Sequence, residues 1–293
     1  MALLAIMLTH GCKNEAQSNL EKVAKVEEIK APAWIAGPAG KIFVDRGGAA
    51  SKALASALPV VIVHSLAGNV TQWQAQLQHL RKTRFAAAFD MRGHGQSGPA
   101  PNHDYSLTAM AEDLAIVVDS LDLHRFILIG HSYGGGVIAA YAGMHPERVA
   151  GLLFVDPIGD ARKAPKDEID KWLSVLRTEA YAEAIEAHWR SILMNADSSV
   201  TQAVIASLHH TPKEAVLGAL DNVFLFDPAA ALQAYGGPME TIVSGLPDDP
   251  SALHHAIPNL PRVVMPGTSH WLQMDRPEEF NRLMDEFLNK IYE

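Results

Sequence analysis

A mostly parallel, doubly wound α/β sheet with an inserted helical lid is the fold class this sequence predicts. Three observations predict it. Strand-like and helix-like segments alternate from about residue 33 onward, a buried-strand run at Phe126-Ile127-Leu128-Ile129 leads straight into a glycine-flanked serine, and strand character vanishes between residues 157 and 238. In order, Lys41 to Asp45 reads as a short strand, Pro59 to His64 as an apolar strand, Thr71 to Leu80 as a helix and Arg84 to Asp90 as the next strand. Leu107 to Leu121 has helical spacing, and the run at 126–129 is followed by small helix-compatible residues from Gly135 to Ala142. Val149 to Asp156 supplies another buried strand. Helical pattern then continues through Lys171 to Met194 and Val200 to Leu220. Strands return at Met239 to Val243 and Arg262 to Met265, and Pro277 to Tyr292 closes the chain as an amphipathic helix. The expected organisation is a leader and tether over 1–30, a core from 31–156 and 239–293, and a lid from 157–238, placed over the carboxyl ends of the strands.

The 293 residues suffice for one large core. A net charge of −9 with no run of lysine or arginine excludes a nucleic-acid surface. With a single cysteine there is no intramolecular disulfide, and no CxxC or HExxH arrangement points to a metal. The pairs His209-His210 and His254-His255 read as surface residues. Near the start, Ala2 to Leu8 is apolar and too short to span a bilayer, and it ends at Thr9-His10-Gly11-Cys12 before a polar stretch. This resembles a bacterial lipoprotein leader with Cys12 as the lipidated residue, although no basic residue precedes the apolar core. The expectation is a protein tethered to the membrane in the bacterial cell envelope, with a cytoplasmic, untethered chain as the alternative.

Gly130-His131-Ser132-Tyr133-Gly134 is an instance of GxSxG, and its position between a strand and a helix gives the pattern meaning. A serine in so sharp a turn needs tiny neighbours, which Gly130, Gly134 and Gly135 supply. The helix that follows aims its N-terminus at developing negative charge. Ser132 is therefore the candidate nucleophile, since a serine hydroxyl becomes reactive when an imidazole takes its proton.

With these pieces placed, the chain from about Lys41 to Tyr292 resembles the α/β-hydrolase superfamily. The resemblance is carried by His64-Ser65-Leu66-Ala67-Gly68, by Asp90-Met91-Arg92-Gly93-His94-Gly95-Gln96-Ser97, by GHSYGG, and by Pro266-Gly267-Thr268-Ser269-His270 with Pro277-Glu278-Glu279-Phe280. The family's glycine after His64 is Ser65 here. His270, after a strand and before Trp271, is the candidate base, with Trp271 able to pack the imidazole. His131 is expected to turn away from the serine and His94 to belong to a structural loop. The resemblance leaves the acid open: Asp156 follows the strand after the elbow, whereas Asp248 or Asp249 follows the strand before the histidine. It also implies oxyanion donors from the main chain of Tyr133 and Leu66, whose side chains would shape the acyl side. Ser65 and Asn69 are read as stabilising their own loop.

A serine at the elbow implies an acyl-enzyme opened by water rather than the alkyl-enzyme ester an aspartate would form. The expected function is thus a carboxylesterase-like serine hydrolase acting on a small or medium, largely apolar acyl substrate, without metal or organic cofactor. The alternatives are a cofactor-free C–C bond hydrolase, a haloperoxidase or perhydrolase-like enzyme, and, in another class, a ligand-binding receptor on the same scaffold. Trp172, Trp189, Met194, Phe224 and Phe226 are expected to form the core of the lid rather than to meet substrate.

Overall fold

The computed structural model describes residues 33–38, 40–48, 57–247 and 249–292, so the expected leader and Cys12 lie outside the described residues. Eight strands form one sheet: β1 (Ala33–Gly37), β2 (Gly40–Gly47), β3 (Val60–Val63), β4 (Ala86–Phe89), β5 (Phe126–His131), β6 (Val149–Val155), β7 (Met239–Ser244) and β8 (Arg262–Met265). Their spatial order is β1-β2-β4-β3-β5-β6-β7-β8. The β1–β2 and β2–β4 pairings are antiparallel, and all the others are parallel. The predicted doubly wound α/β class is the observed one. Strand β1 was not anticipated: it is a short edge strand whose residues alternate between half-buried and exposed, a weak signal beside the continuous apolar runs of the central strands.

Those central strands are apolar on both sides because both sides are covered. Val61 and Val63 of β3 pack with Leu128, Leu152 and Phe154 in one cluster, while Val60 and Ile62 pack with Ile127, Ile129, Leu153 and Val155 in another. Alternate residues therefore serve opposite faces, as the two-residue period of a strand requires. Helices α2 (Leu107–Ser120) and α3 (Tyr133–Met144) cover the first face. Helix α1 (Gln74–Leu80) and the C-terminal helix, here α8 (Pro277–Lys290), cover the second through Leu77, Leu80, Phe280 and Phe287.

Between β6 and β7 the described residues hold no strand, only helices, chiefly α4 (Lys166–Leu176), α5 (Tyr181–Ile192), α6 (Ser198–His210) and α7 (Lys213–Val223). The pattern suggested two long helices here, and each is broken. Pro212 separates α6 from α7, since the residue before a proline is pushed out of helical geometry and Thr211 is extended at φ −81 and ψ 124. Thr178 separates α4 from α5 by local competition: its hydroxyl donates to Val175 O at 2.7 Å and accepts from Ala180 N at 3.1 Å. Among the described residues no helix is long and apolar enough to cross a membrane.

Main chain meets main chain without room for a side chain where α3 leaves β5. A Cβ on Gly134 would stand 2.4 Å from Val63 O and 2.5 Å from His64 O, and one on Gly130 would stand 2.5 Å from Gly134 O. These neighbours are main chain and have nowhere to go. Gly134→Ala is expected to destabilise the protein by about 3 kcal/mol, read as a lower urea midpoint at unchanged slope. Stability equal to that of the parent would contradict the close crossing.

Candidate active site

Two cavity-lining residues sit in left-handed backbone, Ser132 at φ 51 and Asp156 at φ 40, and Ala67, next to cavity-lining Leu66, is a third at φ 56. Each such residue costs about 1–3 kcal/mol and persists only where its surroundings hold it. Ser132 is held at the end of β5 by its own N–H, which donates to Val155 O at 2.9 Å. Its carbonyl accepts from Gly135 N at 2.9 Å and Ile158 N at 3.2 Å. The turn thus lifts the serine side chain to the wall of a cavity of about 710 Å³, which Asp156 and His270 also line.

Asp156 follows β6 and is fixed from three directions. Its Oδ1 accepts from Ser244 N at 3.0 Å, and its Oδ2 accepts from the Ser244 hydroxyl at 2.9 Å and from His270 Nδ1 at 2.6 Å. Burial pushes the Asp156 carboxyl up, but the donation and charge of His270 and the two bonds from Ser244 outweigh it, leaving the group below the usual carboxylate range. An Nδ1–H donated to a carboxylate leaves His270 Nε2 as the basic nitrogen. Among the described residues the Ser132 hydroxyl makes no hydrogen bond, so its contact with the imidazole is not closed here. Such a bond often tightens only around substrate. Asp248 lies outside the described residues, and Asp249 is on the cavity rim, where it accepts from Ser251 N at 2.7 Å.

The loop that carries His270 is braced on every side. Ser269 N donates to Asp275 Oδ2 at 2.6 Å, and Trp271 N to the Ser269 hydroxyl at 3.1 Å. The Trp271 ring stands edge-on to the imidazole, with centroids 5.2 Å apart. His131 does more than turn away from the serine. Its Nε2–H donates to His270 O at 2.8 Å, and its ring lies 4.8 Å from that of His270. Burial, reinforced by the charge of His270, pushes the His131 imidazole down to about 3, so it donates as a neutral ring. Sequence gave no signal for this beyond adjacency to the serine. Helix α5 adds a further tie, since Ile192 O accepts from His270 N at 3.0 Å, and Asn195 just beyond donates to Thr268 O at 3.1 Å.

The opposite wall is the loop after β3. His64 donates from Nδ1 to Ser65 O at 2.8 Å and accepts at Nε2 from Met91 N at 3.0 Å, a pairing that needs the neutral ring. Burial, with the charge of His94, holds His64 at about 3. Asn69 caps the next turn by accepting from Thr71 N at 2.9 Å and donates to the Ser207 hydroxyl at 2.9 Å. Ser207 in turn donates to Ala67 O at 2.6 Å, which ties α6 to this loop. Asn69 is therefore a loop-stabilising residue, whereas among the described residues the buried Ser65 hydroxyl has no hydrogen-bond partner.

Leu66 and Tyr133 both border the cavity. Tyr133 is the first residue of α3, where an N–H has no intrahelical acceptor. Its phenol is buried and donates to Tyr105 O at 2.9 Å. The insertion supplies much of the remaining wall, and here an expectation is corrected. Trp172, Trp189 and Phe224 line the cavity rather than serving only as lid core, while Met194 is 70% exposed. Among the described residues no group of histidine, cysteine, aspartate and glutamate could hold a metal.

A family model described as the alpha/beta hydrolase fold matches residues 59–215. The chain belongs to the α/β-hydrolase fold family. This α/β hydrolase is 26% identical over 240 residues to the dihydrolipoyllysine-residue acetyltransferase component of the acetoin cleaving system of Pseudomonas putida, covering 79% of this chain. That match spans 64% of the relative, just under two thirds of its length. RutD of Caulobacter segnis, a candidate carbamate hydrolase, is 27% identical over 251 residues, covering 78% of this chain and 90% of the relative. In fold it is similar to a thermophilic esterase of Thermogutta terrifontis solved with malate bound, at TM-score 0.73 and 24% identity over 90% of this chain and 100% of that one.

The Asp156–His270 pair sets a stability signature. Because the folded-state pKa of Asp156 lies below its ordinary 3.8, the pair's contribution is fully present above that value and is lost as pH falls through the lower folded value. Urea denaturation should therefore find parent and Asp156→Asn separated at about pH 5 by a gap that shrinks below about pH 4. A gap that does not change on acidification would contradict the pairing.

Proposed function

We propose that this α/β hydrolase is a serine acyl-hydrolase that cleaves a carboxylic ester, or a closely related acyl bond, through an acyl-enzyme. One observation carries the reading: the 2.6 Å bond from His270 Nδ1 to Asp156, on the wall of a cavity that also receives Ser132 from a strained elbow. In the proposed reaction His270 Nε2 takes the Ser132 proton as the hydroxyl oxygen attacks the substrate carbonyl. The oxyanion that forms is met by the main-chain N–H groups of Leu66 and Tyr133, with the N-terminus of α3 behind the second. Protonated His270 then hands its proton to the leaving alcohol. Water, activated by the same nitrogen, opens the acyl-enzyme and frees the acid. Asp156 keeps the imidazole in the required tautomer and stabilises its charged form. The apolar wall around Trp172, Trp189 and Phe224 suits an apolar acyl group of small or medium length.

The relatives are consistent with acyl chemistry at such a site, as one is a candidate carbamate hydrolase and another an esterase. Turnover of p-nitrophenyl esters is expected to fall by about four orders of magnitude or more in Ser132→Ala and by about three to four in Asp156→Asn. Folded Ser132→Ala that keeps the parent rate would overturn the reading. Binding of an ester without turnover by the parent would favour a receptor on this scaffold.

For the leader, the proposal is lipidation at Cys12 and tethering in the envelope, supported by the apolar stretch Ala2 to Leu8 before that cysteine. Labelled palmitate is expected to enter the full chain and to be lost in Cys12→Ser. Incorporation that survives the substitution would contradict lipidation at Cys12.

A further inference from the structure

Helix α5 touches the candidate base at one end and faces the cavity along one side. Ile192 O accepts from His270 N at 3.0 Å, and Ile192 itself lines the cavity. His188 lies four residues earlier, so it shares that face and stands about 6 Å along the helix axis from the contact with His270. His188 also lines the cavity. Its side chain is solvent-accessible.

The rings of Trp172 and Trp189 fix the orientation of this imidazole, with centroids 5.2 and 5.6 Å away. Burial lowers its pKa, and the nearby charge of His270 lowers it further, so at neutral pH it offers one donor and one acceptor. Among the described residues neither ring nitrogen is hydrogen-bonded. Around it the insertion contributes mainly hydrocarbon, from Ile169, Trp172, Trp189, Leu220 and Phe224, with Glu168 as its other ionisable group. A hydrogen-bonding ring held between two indoles, on the apolar side of the cavity and one helical turn from the contact with His270, discriminates by what it can bond.

We propose that His188 is a specificity-determining residue that hydrogen-bonds a second polar group of the substrate, so that the preferred substrates are acyl esters or lactones carrying a hydroxyl, carbonyl or amide a few bonds from the scissile carbonyl. This rests on the serine acyl-hydrolase reading and narrows it. An unsubstituted alkyl chain would leave the imidazole without a partner once the cavity is filled, whereas a substrate with a matching polar group replaces the water that would otherwise solvate it.

Two ester series test the proposal: p-nitrophenyl alkanoates with or without a hydroxyl at the third, fourth or fifth acyl carbon, and acetates of simple alcohols against acetates of diols. The readout is the ratio of kcat/KM for each hydroxylated ester to its plain counterpart. Because it is a ratio within one preparation, partial loss of folded protein does not move it. The parent should favour at least one hydroxyl position by roughly tenfold. His188→Leu should bring that ratio to within about twofold of unity, and His188→Gln, which keeps a donor and an acceptor, should retain much of it. Turnover with no hydroxyl preference, or a preference that persists in His188→Leu, overturns the role of His188 alone. No turnover of either series, together with failure of a fluorophosphonate to label Ser132, overturns the serine acyl-hydrolase reading and the role of His188 with it.

Discussion

Everything at the site depends on how closely the main chain of α3 passes the end of β3. Gly134 has no Cβ because Val63 O and His64 O occupy the place where one would go. That approach sets the loop after β3 against the first turn of α3, which puts Leu66 and Tyr133 on the same cavity wall. It also forces the link between β5 and α3 into a single residue, Ser132, whose φ of 51 is sustained by hydrogen bonds at both its N–H and its carbonyl. Strain of this kind survives because the sheet on one side and the helix on the other leave the chain no easier path.

The insertion between β6 and β7 is part of this machinery as well as a cover over it. Helix α6 reaches the loop after β3 through Ser207, and the end of α5 reaches the histidine loop through Ile192 and Asn195. The two loops that flank Ser132 are thereby tied to one helical layer, which also carries cavity-lining Trp172, Trp189 and His188. Displacing α5 or α6 from the sheet would loosen the site as well as open the cavity. The shape of the cavity and the positions of Ser132 and His270 are thus mechanically linked.

How much of this could be read from sequence follows the range of each interaction. The elbow was legible because strand, turn glycines and helix are contiguous, and each states its own local requirement. His270 was legible through the motif around it. Asp156 could not be separated from Asp248 and Asp249, because the choice depends on where β6 and β7 end relative to one another. That register is visible in the pairing of Val155 with Ile242 and in the two bonds from Ser244 to Asp156. The bond of His131 to the histidine loop and the bond from Ser207 to the loop after β3 join residues more than a hundred positions apart and leave no periodic trace. The breaks in the inserted helices had local causes at Thr178 and Pro212 that hydrophobic spacing alone overlooks.

The central claim is that a hydroxyl on a strained turn is activated by the imidazole that Asp156 orients. Its most direct test is to treat the folded protein with a fluorophosphonate and locate the adduct by peptide mass mapping. The account predicts one phosphonyl group, on the peptide containing Ser132, added far faster to the parent than to His270→Ala. An unmodified Ser132 in folded protein, or an adduct at another residue that forms equally fast without His270, would contradict it.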